Sequence, residues 1–185
     1  MSVDVTARAL AGRIRSECPA SRVLVAIDGP GGAGKSTLAS RVAVHLGDAT
    51  VVATDDFAAW NDPLGWWRRM RDEVIEPIAE GHVARYRRRS FVTGELLDWV
   101  TVPATRVTIV EGVSSSRREW SDHLCFAVWV DTPRDERLRR GLERDGLDAR
   151  SLWDAWMAAE DEFYARDRPW ERADAIVSGV ARTGE

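Results

Sequence analysis

Apolar residues recur at helical spacing near the start of the chain. Val3, Ala7, Leu10 and Ile14 share one face of residues 3–17, which predicts an amphipathic helix. The pattern then changes. Residues 23–27 (Val-Leu-Val-Ala-Ile) form a continuous, β-branched apolar run between Arg22 and Asp28, the pattern of a strand buried on both faces. Residues 35–46 return to helical spacing and are closed by Gly47. Val51-Val52-Ala53 predicts a second strand, ending in Thr54-Asp55-Asp56-Phe57. Residues 64–80 read as helical, whereas 81–105 follow neither period. Residues 107–110 and 125–130 predict two more strands, 133–145 and 149–165 two helices, and 175–177 a last strand. Asp131 is placed to cap the helix that starts near Pro133.

Short buried strands alternating with helices predict βαβ units, hence an α/β fold with a doubly wound parallel sheet covered on both faces. No repeat or linker divides the chain, so residues 1–185 read as a single domain. In such sheets ligands sit beyond the carboxyl ends of the strands. Three of these ends carry glycine or acid: Asp28-Gly29, Asp55-Asp56 and Glu111-Gly112.

Composition narrows the field. Hydrophobic residues make up 44% and charged residues 30%, which fits a folded globular chain and excludes a disordered one. No run approaches the roughly 18 apolar residues of a membrane span. No basic segment leads into an apolar one at the N-terminus, so no export signal is expected. The expectation is a cytoplasmic protein without a membrane partner. A net charge of -4 argues against nucleic acid as partner. Cys18 and Cys125 are too few for a disulfide framework and are expected to be reduced. His45, His82 and His123 are too scattered for metal-ligand spacing. Of 26 basic residues only Lys35 is a lysine. In a chain that otherwise uses arginine, that position calls for a compact ammonium.

Lys35 lies in Gly29-Pro30-Gly31-Gly32-Ala33-Gly34-Lys35-Ser36, which fits G-x-x-x-x-G-K-[ST]. Glycines let main-chain N–H groups wrap a phosphate, and the helix that follows turns its positive end to the same anion. Gly29, Gly31, Gly32, Ala33, Gly34, Lys35, Ser36 and Thr37 form the expected nucleotide-binding set. Lys35 would reach the β- and γ-phosphates and Ser36 would hold Mg²⁺. Asp55, closing the second strand, reads as a base for an acceptor hydroxyl or an indirect metal partner, with a turn residue as the plainer alternative. Glu111, after a buried strand, suits the water shell of the same metal.

Arg137, Arg140 and Arg144 share one helix face and could neutralise a transferring phosphoryl group, Arg137 and Arg140 first; pairing with Asp135, Glu136 and Glu143 on a solvated face is the rival reading. Arg85-Tyr86-Arg87-Arg88-Arg89 is basic but too narrow for a nucleic-acid face. Tyr86 with Phe57 would sandwich a ring or else pack in the core. Trp60, Trp66 and Trp67, just after Asp55, are candidate pocket residues, while Trp153 and Trp156 read as helix packing. Ser114-Ser115-Ser116 reads as a loop.

Four segments together resemble the uridine kinase-like group of P-loop kinases, which also includes pantothenate and nicotinamide riboside kinases. They are Ala26-Ile27-Asp28-Gly29 running on to Gly34-Lys35-Ser36-Thr37; Thr54-Asp55-Asp56-Phe57; Ile109-Val110-Glu111-Gly112; and Val130-Asp131-Thr132 with Arg137-Leu138-Arg139-Arg140. The resemblance implies a three-layer P-loop sandwich with a helical lid at 133–147 and an acceptor-binding insert at 58–105. It implies ATP with Mg²⁺ and transfer of the γ-phosphate to a hydroxyl of a small molecule, a nucleoside first. Carried over, Lys35, Asp55, Arg137 and Arg140 are catalytic; Ser36, Asp55 and Glu111 are the metal partners; Asp56, Phe57, Trp60, Tyr86 and Arg87 meet the acceptor. A homodimer is admitted. The chain departs from the family at Ala58, where a tyrosine is usual, and at Asp145-Gly146-Leu147-Asp148, where Arg-Gly-Arg is usual. Two alternatives stand beside this reading. One is a nucleoside monophosphate kinase of cytidylate type, with Arg85–Arg89 holding the second phosphate. The other is an ATP-binding regulatory or scaffold protein with slow hydrolysis.

Overall fold

The run Val23–Ile27 becomes the central strand of a parallel sheet, because it is apolar enough to be covered from both sides. The computed structural model describes residues 3–180. In chain order its elements are α1 (Val3–Glu17), β1 (Val23–Asp28), α2 (Lys35–Leu46), β2 (Ala49–Ala53), α3 (Trp67–Met70), α4 (Glu76–Ala79), β3 (Arg85–Arg89), β4 (Leu96–Thr101), β5 (Val107–Gly112), β6 (Leu124–Asp131), α5 (Arg134–Asp145), α6 (Arg150–Asp167) and β7 (Ala175–Ser178). Five strands form one sheet in the order β2-β5-β1-β6-β7, every pair parallel. This is the doubly wound sheet the pattern predicts.

Alternation along the strands sorts the core into two layers. Val23, Val25 and Ile27 of β1, Ile109 of β5 and Val128 of β6 face α1 and α2, where they meet Leu10, Ile14, Leu38 and Val42. Leu24, Val110 and Trp129 face the opposite way and join Phe57, Met70, Trp120, Trp153 and Met157. Register then aligns the carboxyl ends: Ile27 pairs with Glu111, Asp28 with Gly112, and Ala53 with Glu111. The chain leaves β1 for one side of the sheet and later fills β6 on the other, so the crevice of the topological switch opens over Asp28.

Residues 67–79 are helical, as the pattern predicts for 64–80, but a π-turn over Arg71–Ile75 joins α3 to α4. Pro77 has no N–H to offer the ladder one turn back, and a wider turn accommodates that loss. Residues 81–105, which follow neither period, hold the antiparallel hairpin β3–β4. Tyr86 is its buried anchor in β3.

Two expectations are corrected. Asp131 does not cap α5: it ends β6, and Pro133 occupies the cap position without a side-chain hydrogen bond. Cys18 and Cys125 are not free thiols but a disulfide, their Cα atoms 5.9 Å apart. Helix α1 runs back along the sheet so that its end meets the start of β6, a proximity that counting cysteines cannot reveal. The bond removes the thiol-based argument for the cytoplasm. Among the described residues no helix is long and apolar enough to cross a membrane.

The disulfide joins residues 107 positions apart, so Cys125→Ser is expected to lower stability by about 2–5 kcal/mol. Urea unfolding with and without reductant checks this. Identical midpoints for oxidised, reduced and Cys125→Ser protein would contradict the bond.

Candidate active site

The segment between β1 and α2 is a loop gripped from behind. Asp28 is wholly buried, yet its carboxylate is satisfied: it accepts from the Gly29 amide at 2.6 Å, the Ser116 amide and hydroxyl at 2.8 and 2.7 Å, and the Tyr164 hydroxyl at 2.9 Å. Burial pushes its pKa up, and these donors act against that. Ser114-Ser115-Ser116 is therefore more than a connecting loop; it is a buried turn that holds Asp28 from the β5 side. The Thr132 hydroxyl donates to the Ala33 carbonyl at 3.0 Å. Gly32 adopts φ +76°, and a Cβ there would lie 2.5 Å from the Arg137 carbonyl oxygen, so α5 packs directly on the loop. Gly34 caps α2 at φ +97° with no side-chain hydrogen bond to the first amides of that helix. Ser36 and Thr37 are exposed there, while the Lys35 side chain is buried and donates to the Pro30 carbonyl at 2.9 Å.

A cavity of about 260 Å³ opens over this loop. Lys35, Ser36, Asp55 and Glu111 all line it, so three strand ends deliver their chemistry to one place. Glu111 is buried, and the Ser36 hydroxyl is among the groups that favour its charged form. Loss of water raises its pKa, Lys35 lowers it, and Asp55 raises it again. Asp55 opens to solvent at the cavity but is walled in by protein, and that desolvation raises its pKa, with Lys35 and Arg144 opposing. Crowded carboxylates beside one hydroxyl are hard oxygen donors of the kind Mg²⁺ takes. Among the described residues no group of three or more His, Cys, Asp or Glu is gathered as a metal cage. The donors therefore fit an ion held by Ser36, water and phosphate oxygens, with Asp55 and Glu111 close by, better than an ion held by protein alone.

The predicted residues divide. Trp60 lines the cavity, and so does Arg140, whose guanidinium reaches the Gly32 and Gly179 carbonyls at 3.3 and 3.1 Å. Arg140 also borders a second cavity of about 380 Å³ with Gly34, Thr37, Val177 and Gly179. Arg137 stands apart: it is buried, bonded to the Thr132 carbonyl and paired with Glu160 at 3.3 Å. Phe57 and Tyr86 are core residues, their ring centroids 4.7 Å apart, which leaves no room for a ring between them. The Tyr86 hydroxyl donates to Asp56 at 2.5 Å, so Asp56 braces the hairpin, although it also borders a shallow outer cavity with Asp55, Trp60 and Arg144. The Arg87 guanidinium is spent on the Leu96 and Leu97 carbonyls of its own hairpin.

Phe91, Arg144, Trp153 and Trp156 also line the cavity over the loop. Trp60, Phe91, Trp153 and Trp156 pack as one aromatic wall, with centroid separations between 5.1 and 6.0 Å. Trp153 and Trp156 do pack between helices as expected, but the same rings form this wall. Their spacing of three places both on one helix face; only α6 crossing behind the loop turns that face into a wall. Arg144 lies one turn beyond Arg140 on the face the sequence singles out, pairing with Asp145 and stacking on Trp153.

No family model matches the chain, and no curated protein matches it. Solved structures do. A possible uridine kinase from Bacillus stearothermophilus superposes with a TM-score of 0.74 at 21% identity, covering 96% of this chain and 100% of that one. A candidate fructose transport system kinase from a Silicibacter species gives 0.57 at 24% identity, covering 95% and 98%. Shikimate kinase from Bacteroides thetaiotaomicron gives 0.51 at 17% identity, covering 85% and 86%. The fold is that of P-loop kinases.

Because α5 leaves no space beside Gly32, Gly32→Ala is expected to cost about 1–3 kcal/mol through positive φ and overlap with the Arg137 carbonyl. Thermal unfolding measures this. An unchanged melting temperature would contradict the packing of the loop on α5.

Proposed function

We propose that the chain is an ATP-dependent phosphotransferase that moves the γ-phosphate to a hydroxyl of a small molecule, a nucleoside in the first instance. One observation carries the reading: Lys35 and Asp55 open onto the same cavity, and one wall of it is aromatic. An ammonium at a glycine loop suits a phosphate, a carboxylate with a raised pKa suits a hydroxyl proton, and a wall of aromatic rings packed edge to face suits a planar acceptor. The neighbouring cavity beside Arg140 and Gly179 has room for the nucleoside part of ATP.

In this reading the amides of α2 and Lys35 hold the phosphates in line, and Asp55 accepts the acceptor's hydroxyl proton as the oxygen attacks phosphorus. Arg140, with Arg144, faces the charge that spreads over the transferring group. Arg137 acts from behind, and residues 133–147 serve as the lid. Ser36 and Glu111 would hold Mg²⁺, which offsets phosphate charge. ATP as donor fits a cytoplasmic location. A second phosphate site at Arg85–Arg89, as a monophosphate kinase needs, has less support: Arg87 is tied to its own hairpin and Arg89 is paired with Asp62 at 2.7 Å. A slow ATPase would have no use for Asp55 facing an aromatic pocket.

ADP release against a panel of nucleosides, nucleoside monophosphates and vitamin-like alcohols tests the reading. A nucleoside that raises the rate well above the acceptor-free rate is expected; no rise with any acceptor would sink it. Asp55→Asn is expected to lower turnover by about 10²–10⁴-fold with little change in KM for ATP. The base works ionised and its pKa is raised, so the wild-type rate should climb with pH through a limb above the ordinary aspartate range, and Asp55→Asn should lack that limb. A pH profile shared by both proteins would remove Asp55 from this role.

A further inference from the structure

Glu160 of α6 has no exposed surface, and the reaction just described does not use it. Its Oε1 accepts from the Gly31 amide at 2.7 Å and from the Trp156 indole at 2.5 Å, while Oε2 lies 3.3 Å from the Arg137 guanidinium. Lys35 also acts on its charge. A carboxylate here costs twice: it is stripped of water, and it has the same sign as the phosphates the loop would receive. The pair with buried Arg137 accounts for Oε2 and leaves Oε1 to be explained. What this side chain does is reach the loop. Asp28 fixes Gly29 and Thr132 fixes Ala33; Glu160 fixes Gly31 between them, from the helix that carries Trp153 and Trp156. A Cβ on Gly31 would stand 2.9 Å from Glu160 Oε1 and 3.1 Å from both tryptophan rings, so the loop sits tightly on this helix.

We propose that Glu160 is a positioning residue: by holding the Gly31 amide it sets the curve of the phosphate loop against the aromatic wall, and so seats the nucleotide's phosphates relative to the acceptor. The role rests on the phosphotransferase reading and deepens it. It depends on the reach of the side chain more than on its charge. Glutamine keeps the reach and loses the charge; aspartate keeps the charge and falls one methylene short.

Calorimetric titration with ADP and Mg²⁺, on variants first checked by thermal unfolding, separates the two. Glu160→Gln is expected to bind ADP within about threefold of the wild type and Glu160→Asp about tenfold or more weakly, the size of a lost hydrogen bond to a charged group. Gly31→Ala leaves Glu160 in place but pushes the loop off it, and is expected to match Glu160→Asp; it serves also where a Glu160 variant fails to fold. Glu160→Gln binding as weakly as Glu160→Asp would overturn the proposal, since packing or charge would then be what matters. Glu160→Asp or Gly31→Ala binding like the wild type would overturn it as well. If the wild-type chain itself binds no ADP, the phosphotransferase reading fails; if it binds and the variants match it, only the role of Glu160 fails.

Discussion

A phosphate loop has to meet two demands at once. Its amides must stay free to face an anion, yet a run of glycines has more conformational freedom to lose on folding than any other sequence. In this chain the second demand is met from behind the loop. Buried side chains from three separate elements hold it: Asp28 at the end of β1, Thr132 just after β6, and Glu160 in α6. The α5 backbone closes the remaining side at Gly32. The hydrophobic layers place these elements within reach, and the hydrogen bonds then fix the loop to a fraction of that reach.

The electrostatics follow from this packing. Asp28, Asp55, Glu111 and Glu160 all crowd the carboxyl edge of the sheet, and burial raises the pKa of each. Asp28 is paired off by neutral donors and Glu160 by an amide, an indole and Arg137. Asp55 and Glu111 are left facing the cavity with Lys35. The division matters chemically: carboxylates spent on donors hold structure, and carboxylates left open have charge to offer a proton or a cation.

Much of this is legible in the chain itself. The strands β1, β5 and β6 are apolar runs that only a doubly covered sheet accommodates, and the glycine loop follows β1 directly, so the fold and the place of that loop come from local pattern. The hairpin is not legible, because Arg-Tyr-Arg-Arg-Arg and Leu-Leu-Asp-Trp-Val-Thr have one anchoring side between them and expose nearly every other position. The Cys18–Cys125 bond and the Glu160 contact link residues 107 and 129 positions apart, distances that only the finished fold closes. Arg137 shows the converse. Its place on a helix face with Arg140 and Arg144 is read correctly, but i, i+3 and i+7 positions fan across that face, and Arg137 turns inward to Glu160 while the other two reach the cavity.

In the proposed reading, Lys35 and the amides around it grip a polyphosphate. Thermal unfolding with and without ATP and Mg²⁺, on the wild type and on Lys35→Ala, tests that directly. At ATP about a hundredfold above its Kd, the wild type should melt about 5 °C or more higher than without it. Lys35→Ala should melt like the ligand-free wild type and gain little from ATP. An equal rise in both proteins, or no rise in the wild type at any ATP concentration, would contradict the account.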